Sequence, residues 1–280
     1  MNYIEPANLS EAIDILAKDD EARCFAGGAT LVAMMNAELV DASTLVGLQG
    51  IKELSGIKNE GEYLRIGAMT SHSEIASSEI LKGNAFVVRD AARQIAHPAI
   101  RNMGTIGGSI CHADPAADFP GAVVAANAVV EIAGPNGQRQ IPVDELFVDY
   151  LETSLEEAEI LSAILIPNNN TDNVGRHLKF SRTHGDYATV SVSLALRMEA
   201  DVCRYARVAV GSVAPTPLHL DAVDELLMGS SLDEEVMNKA GQLLQEACDP
   251  IDDVRGSAEY RRNIIPGLLK RAISEVTGET

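Results

Sequence analysis

Short apolar runs bounded by glycine or proline alternate with stretches of helical apolar spacing through the first part of the chain. Leu9, Ile13 and Leu16 share one face of a helix that Asn8 or Ser10 can cap. Arg23 to Ala26 reads as a short buried strand, Leu31 to Ala37 as helical, Thr44 to Gly47 as a strand, and Ile51 to Ile57 as a helical turn closing a first unit. A second unit opens with a strand at Tyr63 to Gly67 and a short helix around Glu74 and Ile75, capped by Thr70 or Ser71. An amphipathic helix from Phe86 to Ile95 ends at His97-Pro98, because the residue before proline is pushed out of the α region. A helix from Ala117 to Ala126, a strand at Val129 to Ile132, a turn at Gly134 to Gly137 and a strand from Ile160 to Pro167 complete this unit. Asn168 to Asn173 is polar and reads as a linker.

Beyond the linker the order changes. Leu178 to Ser181, Val190 to Arg197 and Tyr205 to Val213 read as strands of an antiparallel sheet, the last broken by Pro215 and Pro217. Helices follow at Asp221 to Leu227, Leu232 to Ala247 and Ala258 to Ser274. Strands first and helices later predict a compact α+β domain. The expected division is residues 1–170, with subdomains of about 1–57 and 58–170, and a second domain at 171–280. No internal repeat is visible.

Two glycine-rich stretches interrupt the pattern. Arg101 to Pro120 carries Gly104, Gly107 and Gly108 with hydroxyls at Thr105 and Ser109, then an Asp-Pro-Ala-Ala-Asp turn, and reads as a loop of exposed backbone. Upstream, Gly27-Gly28 lies between the Arg23 strand and the Leu31 helix, an order that aims main-chain N–H groups at an anion. Glycine lets a ligand approach those groups without meeting a Cβ, so phosphate is the first ligand to consider. A plain structural turn is the competing reading of Gly27-Gly28. A dinucleotide-binding fingerprint of the G-x-G-x-x-G kind, with an acid at the next strand end, is absent.

Composition narrows the rest. At 280 residues with 46% hydrophobic content, the chain can bury a substantial core. A net charge of −19 argues against nucleic acid and anionic membrane surfaces as partners. No apolar run reaches the roughly 18 residues that a membrane span needs. The first residues lack a signal-peptide pattern, and Cys24, Cys111, Cys203 and Cys248 are widely spaced, so a cytoplasmic protein with reduced thiols is expected. That spacing offers no zinc or iron–sulfur site, and metal chemistry is expected on another chain. His72, His97 and His112 form no ligand-spaced cluster and read as loop or capping residues; Asp114, before Pro115, reads as a turn residue.

Arg101-Asn-x-Gly-Thr-Ile-Gly-Gly-Ser109, preceded by Ala26-Gly-Gly-x-x-Leu31, resembles the FAD-binding medium subunit of the molybdenum hydroxylases, the group that includes carbon monoxide, xanthine and aldehyde dehydrogenases. Lys179-Phe-Ser-Arg-x-x-Gly-Asp-Tyr-Ala188, Gly211-Ser-Val-Ala-Pro-Thr-Pro217 and Ser257-Ala-Glu-Tyr-Arg-Arg262 match the same family, so the resemblance spans nearly the whole chain. It implies an α+β fold: a two-part FAD domain of the p-cresol methylhydroxylase type, then a C-terminal α+β domain. It implies that Ala26, Gly27, Gly28, Ala29, Thr30 and Leu31 hold the FAD diphosphate from one side, and Thr105, Gly107, Gly108 and Ser109 from the other.

The resemblance places Asp118 on the adenosine portion, with a helix N-cap as its alternative role. Leu161 would border the flavin or adenine, or be a core strand leucine. Lys179 would lie near the flavin, or be an exposed strand lysine; Tyr187 would stack on the ring, or be a core tyrosine. No substrate-directed catalytic residue is expected here. A large molybdopterin subunit and a small subunit with two [2Fe–2S] clusters are the implied partners, as a dimer of heterotrimers. The cysteine-rich insert that carries a further cluster in some relatives is missing. A stand-alone flavin reductase of the same fold and a non-enzymatic binding module are the alternatives.

Overall fold

The computed structural model describes residues 1–168 and 172–278. The first unit runs β1 (Asn2–Ile4), α1 (Leu9–Leu16), β2 (Arg23–Phe25), α2 (Leu31–Asn36) and β3 (Thr44–Gly47), with β3 central in a parallel sheet of order β1-β3-β2. Asn8 caps α1, its side chain accepting from the Glu11 amide, and Leu9, Ala12, Ile13 and Leu16 bury against Val46, Leu48, Ile51 and Leu54. β2, expected to be buried, is an edge strand with Arg23 exposed and Cys24 and Phe25 half-buried. A three-residue edge strand leaves one flank to solvent, which its apolar letters do not reveal.

The second unit carries β4 (Ile57–Glu60), β5 (Tyr63–Gly67), α3 (His72–Ser77), α4 (Phe86–Gln94), α5 (Pro98–Met103), α6 (Ile106–His112), α7 (Asp118–Ala125), β6 (Val129–Gly134), β7 (Gly137–Pro142), the hairpin β8 (Phe147–Asp149) and β9 (Glu152–Thr153), and β10 (Ile160–Pro167). Its five-stranded antiparallel sheet has the order β4-β5-β10-β6-β7. β10 is central, which is why Ile160 to Ile166 is apolar but for Ser162 and buried on both faces. Ser71 caps α3 in a reciprocal box with Glu74. The stretch expected as loop is largely helical: Pro98 begins α5, Thr105 caps α6, and Ala113 ends α6 in the left-handed region. Glycines at two consecutive positions hid that helix, because they carry no side chain to show a period. Gly107 is there for packing. A Cβ on it would lie 2.6 Å from the Ala68 Cβ and 2.7 Å from the Ala68 carbonyl oxygen.

The third unit is an antiparallel sheet of β11 (Val174–Phe180), β12 (Val190–Glu199), β13 (Val202–Gly211) and β14 (Leu218–His219), followed by α8 (Asp221–Leu227), α9 (Glu234–Ala247) and α10 (Ala258–Thr277). Along β12 the alternation is large against small. Val190, Val192, Leu194 and Leu196 join the core shared with α8, α9 and α10. Ser191, Ser193 and Ala195 turn to the opposite face, where α4 and α7 of the second unit pack. Small side chains on that face admit close approach: a Cβ on Gly121 of α7 would sit 3.4 Å from the Ser193 hydroxyl. A Cβ on Gly175 of β11 would meet the Val87 amide nitrogen of α4 at 2.6 Å. The two halves are therefore docked through backbone-level contact. Of the expected linker, Asn169, Asn170 and Thr171 lie outside the described residues; β10 ends before it and β11 begins after it. Among the described residues no helix is long and apolar enough to cross a membrane.

Candidate functional site

The two glycine stretches meet. β2 delivers Ala26 to Thr30 against the turn between α5 and α6, and a Cβ on Gly27 would overlap the Met103 carbonyl oxygen. Gly28 has φ +75°, which glycine takes without strain. Across the gap, a Cβ on Gly108 would lie 3.8 Å from the Ala26 Cβ and 3.0 Å from the Thr105 hydroxyl, with open space beyond. Gly108 is exposed, whereas Gly104, Thr105, Ile106 and Gly107 are buried.

The loops differ in what they offer. Among the described residues the amides of Gly27, Gly28, Ala29, Thr30 and Leu31 donate to no acceptor within the chain. Those of Ile106, Gly107, Gly108 and Ser109 are occupied, by the carbonyls of Thr70, Ala68 and Thr105 and, for Gly108, by the Thr105 hydroxyl. In this geometry the amides of Gly107 and Gly108 are engaged within the chain. The second loop brings hydroxyls at Thr105 and Ser109 and a face without Cβ atoms. Five free amides beside two such glycine faces fit a diphosphate without a lysine, so an acidic chain can hold a dianion.

His72 stands beside this junction, its amide donating to the Gly104 carbonyl and its ring edge-on to Phe119 at 5.0 Å between centroids. Gly104 must be glycine because a Cβ there would overlap His72 Nε2. Burial pushes the His72 pKa down to about 4, so the imidazole is neutral. Its Nδ1 is buried with no partner among the described residues. His97 precedes Pro98 of α5 without a side-chain capping bond, and His112 ends α6.

Asp118 is the first residue of α7, and Ala117 takes the cap position, so the N-cap role is corrected. Its carboxylate is turned inward: Oδ1 lies 2.9 Å from His177 Nε2 and Oδ2 2.9 Å from Lys179 Nζ. Burial opposes ionisation of Asp118, but hydrogen bonding and charge from His177 and Lys179 outweigh it and hold the carboxyl below its usual range. Lys179 is no exposed strand lysine; its side chain is 4% exposed and also donates to the Gln94 carbonyl at 2.9 Å. His177 Nδ1 meets the Ser193 hydroxyl at 2.8 Å, and Gln94 Nε2 returns to the His177 carbonyl at 2.7 Å. Asp90 accepts from the His177 amide and from Arg176. His177, Gln94 and Asp90 were missed. The signal for His177 was the period of β11, which puts it two positions from Lys179 on one face; Gln94 and Asp90 lie on α4 and reach β11 only through tertiary packing.

A cleft of about 250 Å³ opens beside this network, lined by Gln94, Lys179 and Phe180 to Gly185. Tyr187, beyond it, is not a core tyrosine: it is 45% exposed and carries the Arg255 guanidinium 5.1 Å above its ring. Leu161 is buried in the sheet core of the second unit, which is the strand reading. The four thiols are free; burial pushes Cys24 and Cys111 up to about 12, so both are neutral.

A model described as the FAD binding domain in molybdopterin dehydrogenase matches residues 1–169, and one described as the CO dehydrogenase flavoprotein C-terminal domain matches residues 177–276. The chain is 33% identical to the carbon monoxide dehydrogenase medium chain of Hydrogenophaga pseudoflava over 97% of its own length and 95% of the relative's. It is 32% identical to the nicotine 6-hydroxylase medium subunit of Paenarthrobacter nicotinovorans over 100% and 98%. The solved structure of cyanide-inactivated Cu,Mo-CO dehydrogenase contains a chain that superposes with a TM-score of 0.96 at 33% identity, covering 100% of this chain and 98% of that one.

Proposed function

Because the chain belongs to the FAD-binding medium subunits of the molybdenum hydroxylases, we propose that the gap between Ala26–Leu31 and Thr105–Ser109 holds the FAD diphosphate and that the 250 Å³ cleft beside Lys179 belongs to the same cofactor site. The chain is an oxidoreductase subunit, the FAD-binding electron-transfer component of a heteromeric complex with large and small subunits. FAD supplies a carrier that exchanges electrons singly or in pairs, which suits a chain placed between iron–sulfur clusters and an external acceptor. The molybdopterin centre and the two [2Fe–2S] clusters sit on the partner chains. A stand-alone reductase is not favoured, since the relatives matched over their whole length are medium subunits.

The chain's own part is to bind, orient and shield. Amides of Gly27 to Leu31 would donate to phosphate oxygens, and the hydroxyls of Thr30, Thr105 and Ser109 would add contacts at either side. Lys179, fixed by Asp118 and the Gln94 carbonyl, places a positive charge at the cleft wall where electron density on a bound flavin would be stabilised. Tyr187 is positioned as an exposed aromatic at the outer edge. In this account Asp118 serves the cofactor through Lys179 and not through the adenosine. Leu161 acts as packing beneath the site. A dimer of heterotrimers in the cytoplasm, and a division near residues 57 and 170, complete the proposal.

The five free amides of the first loop carry this reading. The chain expressed with its two partner subunits is expected to show flavin bleaching on anaerobic addition of the complex's substrate, and the flavin-loaded chain alone is expected to show none. Bleaching by NADH in the lone chain with steady turnover would replace it by the stand-alone reductase.

A further inference from the structure

A second polar cluster lies between the two halves of the chain, on the far end of α7 from Asp118. Arg207 of β13 donates from Nε to the Val124 carbonyl of α7 at 2.7 Å and from Nη2 to Asp144 Oδ2 at 2.7 Å. Asp144 lies in a short 3₁₀ turn at Val143–Glu145, in the second unit. His219 of β14 faces carboxylates on both sides: Nε2 is 2.8 Å from Asp224 Oδ2, and Nδ1 is 3.4 Å from Asp144 Oδ1. Asp224 is fixed in turn, its other oxygen accepting from the buried Val208 amide at 3.0 Å. Val124, Asp144, Arg207 and His219 border a cavity of about 400 Å³.

A neutral imidazole has one N–H, so it can satisfy only one of those two carboxylates; the other then faces a lone pair. Only the imidazolium serves both. We propose that His219, with Arg207, forms a protonation-dependent latch that holds the β11–β14 half of the chain on the carboxyl end of α7. When the proton leaves, the remaining N–H stays with Asp224, the shorter contact within its own half. The contact given up is the one to Asp144, which is the contact between halves. Arg207 remains, so the junction loosens and does not come apart.

Burial of His219 favours the neutral form, but the hydrogen bonds to Asp144 and Asp224 prevail and raise its pKa from 6.5 to about 9. The raised value means the latch is fully made below about pH 6.5 and lost as pH rises through about 9, and the shift corresponds to a preference of the protonated junction of roughly 10²-fold. The charged groups facing the imidazole are Asp144 from the 3₁₀ turn, Arg207 from β13, and Asp221 and Asp224 from α8; α7 contributes only the Val124 carbonyl. Tyr205 and Cys203 of β13 lie within range of Asp224. His219, Asp221 and Asp224 are also close enough to be weighed as a cation site. With both ring nitrogens directed at carboxylates and Arg207 adjoining, the arrangement is that of a cation already supplied by the protein.

The test is an NMR titration of the full chain from pH 6 to pH 10.5, following the His219 ring and the backbone amides. The ring is expected to titrate near pH 9, and the amides of Val124 to Ala126 are expected to move with the same midpoint. Asp144→Asn should bring the ring midpoint down by about one unit or more, and uncouple the α7 amides from it. His219→Gln should lower the thermal midpoint by roughly 4 °C at pH 7 and by nothing at pH 10. A ring midpoint at or below pH 6.5 would overturn the latch, as would shifts confined to β14 and α8. A saturable rise in thermal midpoint on adding zinc at pH 7 would also overturn it. None of these readouts involves FAD, so the cofactor assignment stands or falls separately.

Discussion

Gly108→Val is expected to empty the cofactor site without unfolding the chain. The valine Cβ would enter the gap toward Ala26, where nothing but the Thr105 hydroxyl approaches within 3.4 Å, and its two methyls would fill the face over which a diphosphate passes. A diphosphate pushed off that face loses reach to the amides of Gly27 to Leu31, and two such charge-assisted contacts are worth about 3–6 kcal/mol, or on the order of 10²–10⁴ in FAD affinity. The fold is spared because Gly108 is exposed and valine is a slightly better helix residue than glycine. Some loss from displacing the Thr105 cap is expected, about 1 kcal/mol. Gly107→Ala is the paired control. Its Cβ would press on Ala68 backbone, so it is expected to lower the unfolding midpoint first and FAD content only in consequence. Flavin absorbance per chain, read beside a thermal melt, separates the two. Wild-type FAD content in Gly108→Val would remove the second loop from the site.

Asp118→Ala is expected to cost about 3–5 kcal/mol of folding stability, because it leaves the Lys179 ammonium and the His177 ring buried without their anion. Urea denaturation of the full chain measures it, and Asp118→Asn, which keeps the shape and part of the hydrogen bonding, should lose less. The direction with pH follows from the depressed carboxyl. Its folded-state pKa lies below the unfolded value, so the contribution is present above about pH 4 and disappears as pH falls through the folded value. The alanine variant should therefore lack that part of the acid sensitivity. A loss under about 1 kcal/mol would mean that solvent reaches Lys179 and makes its charge cheap.

The sequence made the sheets and long helices legible because their apolar periods are whole. β10 reads as an apolar run interrupted only by Ser162, and α1, α4 and α9 show clear amphipathic faces. The short edge strands β1, β4, β7 and β14 were not anticipated, since an edge strand is half solvated and needs no apolar pattern. α6 escaped because two of its seven residues are glycine. In the candidate site the glycine loops were visible by composition, and their contact at Gly27 and Met103 depends on tertiary packing. The division of labour between the loops also lay beyond the sequence. In the second loop Thr70 and Ala68, far up the chain, capture the amides of Ile106 and Gly107, and Thr105 takes those of Gly108 and Ser109. Asp118 and Lys179 were singled out as separate contacts. That they are one ion pair, with His177 as its third member, follows from α7 packing on the face of β12 and β13, which brings the start of α7 beside the neighbouring β11.

FAD content of the complex tests the central claim most directly. Isolated with its large and small subunits, the wild-type complex is expected to contain one FAD per copy of this chain, and the Gly108→Val complex almost none. A wild-type complex that assembles, carries molybdenum and iron, and contains no FAD would contradict the account.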